Sequence, residues 1–109
     1  MKPFTKNVIQ IIKQIPEGNV MTYGQIAKAA GSPRGARQVA RILHSMSQKY
    51  DLPWHRVINA KGQIAIKDDE GFFSQKLMLQ DEGVDVSEAG KVDLEVYLYW
   101  PDPLFDEEI

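Results

Sequence analysis

The sequence predicts a mainly α-helical domain with a small β-hairpin, organised as a helix-turn-helix of the winged-helix kind. Two short helix patterns joined by a turn at Gly31, and a hairpin signal between Val57 and Ile66, carry that expectation. The 109 residues, 43% of them apolar, suffice for one compact core and are too few for two. A single domain over residues 1–109 is expected, ending in an acidic segment from about residue 101.

The elements follow in order. Thr5 precedes Val8, Ile11, Ile12 and Ile15, a spacing that lays one apolar stripe along a helix ended by Pro16 and Gly18. Thr22-Tyr23-Gly24-Gln25 has the form of a capping box, the threonine accepting from the third helical N–H and the glutamine reaching back, so a short helix should run to Ala30. Ser32 is a good N-cap and Pro33 a good first helical residue. They predict a second helix from there, through Ala36, Val39, Ala40, Ile42 and Leu43, to about Ser47. In the hairpin, Asn59 opens the turn and Gly62 takes positive φ, so the element could act as a wing. Phe72 to Glu82 reads as a helix closed by Gly83, and the alternation Leu94, Val96, Leu98, Trp100 reads as a strand.

Charge is segregated along the chain. Residues 1–67 carry 11 Lys and Arg against only Glu17 and Asp51, a net +9, whereas residues 68–109 carry 13 Asp and Glu against Lys76 and Lys91, a net −11. The first part is suited to neutralising phosphates; the second limits non-specific sticking or faces another protein, and its last residues alone would be a solvated tail. No run of 18 apolar residues occurs and Met1–Lys6 lacks the apolar stretch of a secretory signal, so a soluble, cytoplasmic protein away from membranes is expected. Cysteine is absent. That excludes a disulfide framework, a thiolate metal site and a cysteine nucleophile, and no cofactor or metal is expected.

Specific chemistry enters with Pro53-Trp54-His55-Arg56-Val57. This run resembles the Pro-Cys-His-Arg-Val motif of the O6-alkylguanine-DNA alkyltransferases, with tryptophan where the nucleophilic cysteine would stand. Ile15 to Gly24 and Gly31 to Val39 resemble the same family in order and spacing, and Asp81-Glu82-Gly83 falls where the family has His-Glu-Gly. The resemblance covers roughly residues 4–87, and the family's separate N-terminal domain has no counterpart in these residues. With tryptophan at the cysteine position, the chain looks like the alkyltransferase-like proteins, which bind the lesion and hand it to nucleotide excision repair. The resemblance thus implies a non-enzymatic, monomeric protein. It would bind duplex DNA by the minor groove and flip O6-alkylguanine into a pocket.

Residue roles follow from that resemblance. The family's histidine, oriented by a glutamate, deprotonates its cysteine through a water; His55 and Glu82 match this relay with nothing left to activate. Trp54 would be a pocket wall, joined by Tyr23, Met46, Pro53, His55, Arg56, Val57 and Lys67. Tyr23 matches the tyrosine that presses on the phosphate 3′ to the target. Arg37 matches the arginine that fills the space left by the extruded base, where its flat guanidinium can stack and hydrogen-bond. Thr22, Gln25, Lys28, Ser32, Arg34 and Arg41 are the remaining polar DNA contacts, and Gly35, Ala36 and Ala40 would let the second helix enter a narrow groove.

Read without the family, these residues keep ordinary alternatives: Trp54 as a core aromatic, Tyr23 as packing, Arg37 as solvated charge, and His55 with Glu82 as a buried structural pair. Two departures from the alkyltransferase pattern are plain. Met46 stands where the family has a hinge asparagine, 8 residues before Trp54, and the loop over the base reads Ile66-Lys67-Asp68-Asp69-Glu70-Gly71-Phe72. Two other function classes stay open: a helix-turn-helix transcriptional regulator reading the major groove, and a hydrolase using His55 and Glu82 as a general-base pair on a flipped base.

Overall fold

The computed structural model describes residues 1–101. Most of the acidic end segment, 102–109, thus lies outside the described residues. Helix α1, Pro3–Lys13, starts at the proline, whose missing N–H costs nothing at the first helical position, and ends before Pro16. Its stripe of Val8, Ile11 and Ile12, continued by Ile15, is buried in the first core cluster with Met21, Ile26, Val39 and Leu43. Strand β1, Met21–Thr22, leads directly into α2, Tyr23–Ala29. The capping box forms as expected: Gln25 N–H donates to Thr22 Oγ1 at 3.1 Å and Thr22 N–H donates to Gln25 Oε1 at 3.3 Å.

Helix α3 spans Ala36–Met46, three residues later than Ser32-Pro33 predicts. The segment 32–35 is instead a turn, in which Ser32 N–H donates to Ala27 O and Gly35 N–H to Ser32 O, both at 2.9 Å. Gly35 is the N-cap, and it is buried. A Cβ there would lie 2.9 Å from Phe4 Cζ and 3.1 Å from Ser32 O. Its small size therefore serves the contact between this turn and α1, and it caps the helix where the sequence expectation had put it inside the helix.

The hairpin is not formed. A short 3-10 turn, Trp54–Arg56, leads into β2, Val57–Ile58, which pairs in parallel with β1, Met21 against Val57 and Thr22 against Ile58. The turn itself is as predicted: Asn59 Oδ1 accepts from the Lys61 and Gln63 N–H groups at 3.0 Å, and Gly62 has φ +78°. A Cβ on Gly62 would come within 2.6 Å of Val92 O, so only glycine fits. The chain leaving the turn then bonds to residues 90–92, with Ile64 N–H to Gly90 O and Val92 N–H to Gly62 O. Because Val57 and Ile58 are already buried against β1, no ladder returns on them and no wing projects.

Helix α4, Asp69–Asp81, begins three residues before the expected Phe72, because Asp68 caps it by accepting from Gly71 N–H at 2.8 Å; Gly83 closes it at φ +90°. Leu79 joins Val20, Ile58, Ile64, Val84 and Val92 in a second core cluster. The predicted strand over 94–100 is instead a one-turn helix α5, Leu94–Tyr97, capped by Asp93, with Val96 and Trp100 exposed. Only Leu98 makes a bridge, beside Val20. The chain then stays against α2, where Gln25 Nε2 donates to Tyr99 O at 2.7 Å. Among the described residues no helix is long and apolar enough to cross a membrane.

Candidate DNA interface and base pocket

Helices α2 and α3 form the helix-turn-helix, and residues 21–50 contain Lys28, Arg34, Arg37, Arg41 and Lys49 with no acidic residue. Lys28, Arg34, Arg37, Ala40 and Arg41 are exposed. Arg37, Ala40 and His44, three and four residues apart, share one open face of α3. The other predicted DNA contacts sit differently. Thr22 is buried and Gln25 half-buried, and their side chains are held by the capping box and, for Gln25, by Tyr99 O. Ser32 and Ala36 are half-buried at the turn.

At the foot of this face lies a cavity of about 310 Å³, at the small end of ligand sites. Tyr23, Ala40, Leu43 and His44 line it from the helix-turn-helix, with Ser47, Trp54 and Val57 from the following segment and Ile66 and Gln75 beyond. Burial pushes the Tyr23 phenol above its ordinary value, so the ring presents a neutral hydroxyl. Trp54 is half-buried and its backbone is fixed by its own turn, its main-chain N–H donating to Leu52 O at 2.7 Å. Trp54 also lines a second hollow of about 610 Å³ with Pro53, His55, Arg56 and Lys13.

Of the predicted pocket residues, Tyr23, Trp54 and Val57 thus line the small cavity, while Pro53, His55 and Arg56 line the other hollow. Met46 packs on the first core cluster, and Lys67 is exposed outside the lining. With no asparagine at 46, the segment after α3 is tied by its backbone, Tyr50 N–H to Met46 O at 3.0 Å and Leu52 N–H to Ser47 O at 2.8 Å. His44, Ser47 and Gln75 escaped the sequence reading as pocket residues. The first two continue the Arg37–Ala40 face at helical spacing, a signal that was available. Gln75 gives no such signal, being a lone polar residue at a buried register of α4 between Phe72 and Leu79.

The relay pair is present, with His55 Nε2 2.7 Å from Glu82 Oε2. A third partner dominates it. Arg56 donates to Glu82 through Nε at 3.0 and 3.1 Å and through Nη2 at 2.7 Å, and its Nη1 reaches Ile15 O at 2.8 Å. Gly18 N–H also donates to Glu82 Oε1 at 3.1 Å. Burial alone would raise the Glu82 carboxyl, but the hydrogen bonds from Arg56, His55 and Gly18 outweigh it and hold the group at about 2. Glu82 therefore fastens the end of α4 to the turn after α1 and to the Trp54 segment. His55 Nδ1 is sealed without a partner.

These features agree with the comparisons. The profile of the 6-O-methylguanine DNA methyltransferase DNA-binding domain matches residues 3–84. The chain belongs to this family. It is 44% identical over 101 residues to the DNA base-flipping protein of Vibrio parahaemolyticus, covering 93% of this chain and all of that one. It is 37% identical over 106 residues to Alkyltransferase-like protein 1 of Schizosaccharomyces pombe, covering 93% and 98% of the two chains. The crystal structure of S. pombe Atl1 with damaged DNA containing O6-carboxymethylguanine superposes with a TM-score of 0.82, at 37% identity and the same coverage. As a methyltransferase-family domain the chain is unusual in one respect that decides its chemistry: it contains no cysteine. A thiolate is the alkyl acceptor such chemistry needs, and an indole carbon or nitrogen does not replace it at neutral pH.

Proposed function

We propose that this protein recognises DNA damage without repairing it. It binds duplex DNA through α2 and α3 by the minor groove, rotates an O6-alkylguanine into the cavity beside Trp54, and marks the lesion for nucleotide excision repair. The carrying observation is the junction of an acid-free basic helix-turn-helix with a single-heterocycle cavity walled by Tyr23 and Trp54, in a chain without cysteine. Arg37 enters the space the base leaves, a reading supported by its exposure on the same face of α3 as Ala40 and His44, which line the cavity. Arg34, Arg41 and Lys28 hold phosphates. The protein acts as a monomer on chromosomal DNA in the cytoplasm or nucleus.

Selectivity for the lesion has two sources. Burying one methyl carbon stabilises by only about 0.8 kcal/mol, which cannot alone set a lesion apart. O6-alkylation also removes the N1 proton and weakens pairing with cytosine, lowering the cost of extrusion by about a few kcal/mol. The pocket then needs only to hold a base that already leaves the stack easily. A general-base role for His55 and Glu82 is disfavoured, because the donors that saturate Glu82 make it a weak base and His55 Nδ1 is sealed away from any substrate. The test is titration of matched duplexes differing only in one O6-methylguanine. Tighter binding of the lesion duplex is expected, and equal affinity for the two refutes the reading.

A further inference from the structure

Three lysines, Lys2, Lys6 and Lys13, lie exposed on the outer edge of α1, off the helix-turn-helix. Lys6 and Lys13 stand seven residues apart, about two turns, and so share one edge of the helix. Lys2 is the N-cap at the head of that edge, its carbonyl accepting from Lys6 N–H at 3.1 Å. At about 1.5 Å per residue the edge from Lys2 to Lys13 is about 16 Å long. Nothing in the folded chain neutralises it. Among the described residues every ion pair ends on Glu82, and the first acid in the sequence is Glu17. Asp51, the one acid that lines a hollow with Lys13, makes no ion pair. A lysine at a helix N-terminus works against the macrodipole, and the first turn of α1 holds no acid to offset it. At the other end, Lys13 Nζ and Lys49 Nζ each lie 5.5 Å from the Tyr50 ring centroid, which gathers two cations at one ring without cancelling either.

This edge is continuous with the DNA face. Lys2 and Arg41 of α3 line one hollow of about 220 Å³, with Phe4, Thr5, Gln38 and Ile42 between them. Lys6 and Lys13 line the next, with Met1, Ile9 and Tyr50. Gln38 and Ile42 are each two residues from Ala40, about 200° round the helix, so the track from Arg41 to Lys13 leaves α3 on the flank opposite the base cavity. We infer that the outer edge of α1 holds the phosphates of the duplex flanking the lesion, on the side of α3 away from the cavity. The inference rests on the duplex binding through α2 and α3 proposed above and extends that footprint onto α1, where lysines grip backbone and read no base. A duplex carries one charge for about every 1.7 Å of its axis, so the edge faces several phosphates. Reaching Lys13 requires the flank to curve towards α1, which a stiff duplex does only where new contacts offset the bending.

The experiment uses two DNAs with one central O6-methylguanine: a hairpin of about 10 base pairs, too short to reach along α1, and a duplex of about 30. Lys6→Gln/Lys13→Gln is compared with the wild type and with Lys61→Gln/Lys91→Gln, which removes the same charge from a hollow that neither α1 nor α3 lines. Each lysine–phosphate contact contributes a salt slope of about 0.9. On the long duplex, raising salt from about 50 to about 200 mM should therefore weaken the wild type about tenfold more than Lys6→Gln/Lys13→Gln. On the hairpin the two should share one affinity and one slope, and the Lys61→Gln/Lys91→Gln control should follow the wild type on both DNAs. Unmodified DNAs should give the same pattern, because their phosphates are the same, so the inference is judged separately from lesion preference. Equal wild-type affinity for lesion and unmodified DNA would refute the proposed function and leave this comparison in force. No difference on the long duplex, an equal loss on the hairpin, or a loss matched by the control overturns the inference. Stoichiometric capture of a second, unmodified duplex by the preformed hairpin complex also overturns it, since the edge would then serve another DNA molecule.

Discussion

Replacing Glu82 with glutamine removes the charge that four donor groups share, and the structure sets the size of the loss. The carboxyl falls from its ordinary 4.5 to about 2 in the folded chain. At about 1.4 kcal/mol for each tenfold change in proton affinity, that corresponds to about 3 kcal/mol of folding stability. Leaving the Arg56 guanidinium buried without its partner costs a similar amount, about 3–5 kcal/mol in comparable sites. Because the folded value is depressed, the contribution is fully present above pH 4.5 and is lost as pH falls towards 2. Urea unfolding of the wild type and Glu82→Gln should therefore differ by about 3 kcal/mol at pH 7, with the gap closing between pH 4.5 and 2. A gap below about 1 kcal/mol at pH 7, or one of constant size down to pH 2, would refute the assignment of Glu82 as the fastening group.

Three further outcomes are expected. Arg37→Ala should weaken binding of an O6-methylguanine duplex by about 1–3 kcal/mol, whereas Arg34→Ala should weaken all duplexes alike and reduce the salt slope by about 1; equal loss on both duplexes for Arg37→Ala would remove it from the extrusion step. Gly35→Ala should destabilise the fold by about 1–3 kcal/mol through its clash with Phe4, and Phe4→Leu in the same chain should recover part of that. Thermal unfolding of the single and double variants measures this coupling, and purely additive effects would contradict it. Incubation with a duplex labelled in its O6-methyl group should leave all label on the DNA, and stoichiometric label on the protein would overturn the non-enzymatic reading.

Legibility in the sequence depended on how local the deciding interaction was. The apolar stripe of α1, the Thr22–Gln25 capping box and the Gly83 stop are written in residues a few positions apart, and each appears where the pattern put it. Ser32-Pro33 misled because the same residue types that start helices also make turns, and the close approach of Gly35 to Phe4 joins residues far apart in the chain, so no local pattern announces it. The hairpin and the last strand failed for a non-local reason: Val57 and Ile58 pair with Met21 and Thr22, and residues 62–64 pair with 90–92. Family resemblance supplied the His55–Glu82 pair but hid the role of Arg56, which only the folded chain brings onto Glu82. Gln75 was invisible because a single polar residue on a helix gives no sign that it will donate to two distant carbonyls, His55 O and Val57 O.

The claim that an alkylated guanine enters the cavity beside Trp54 can be observed directly by fluorescence. The chain has two tryptophans, and Trp100 is 73% exposed, so Trp100→Phe leaves Trp54 as the sole indole reporter. At saturating DNA, the O6-methylguanine duplex should change Trp54 emission with an end point of one lesion per protein, while the unmodified duplex, bound to the same occupancy, should leave it unaltered. The same emission change with both duplexes, or none with either, would contradict the account.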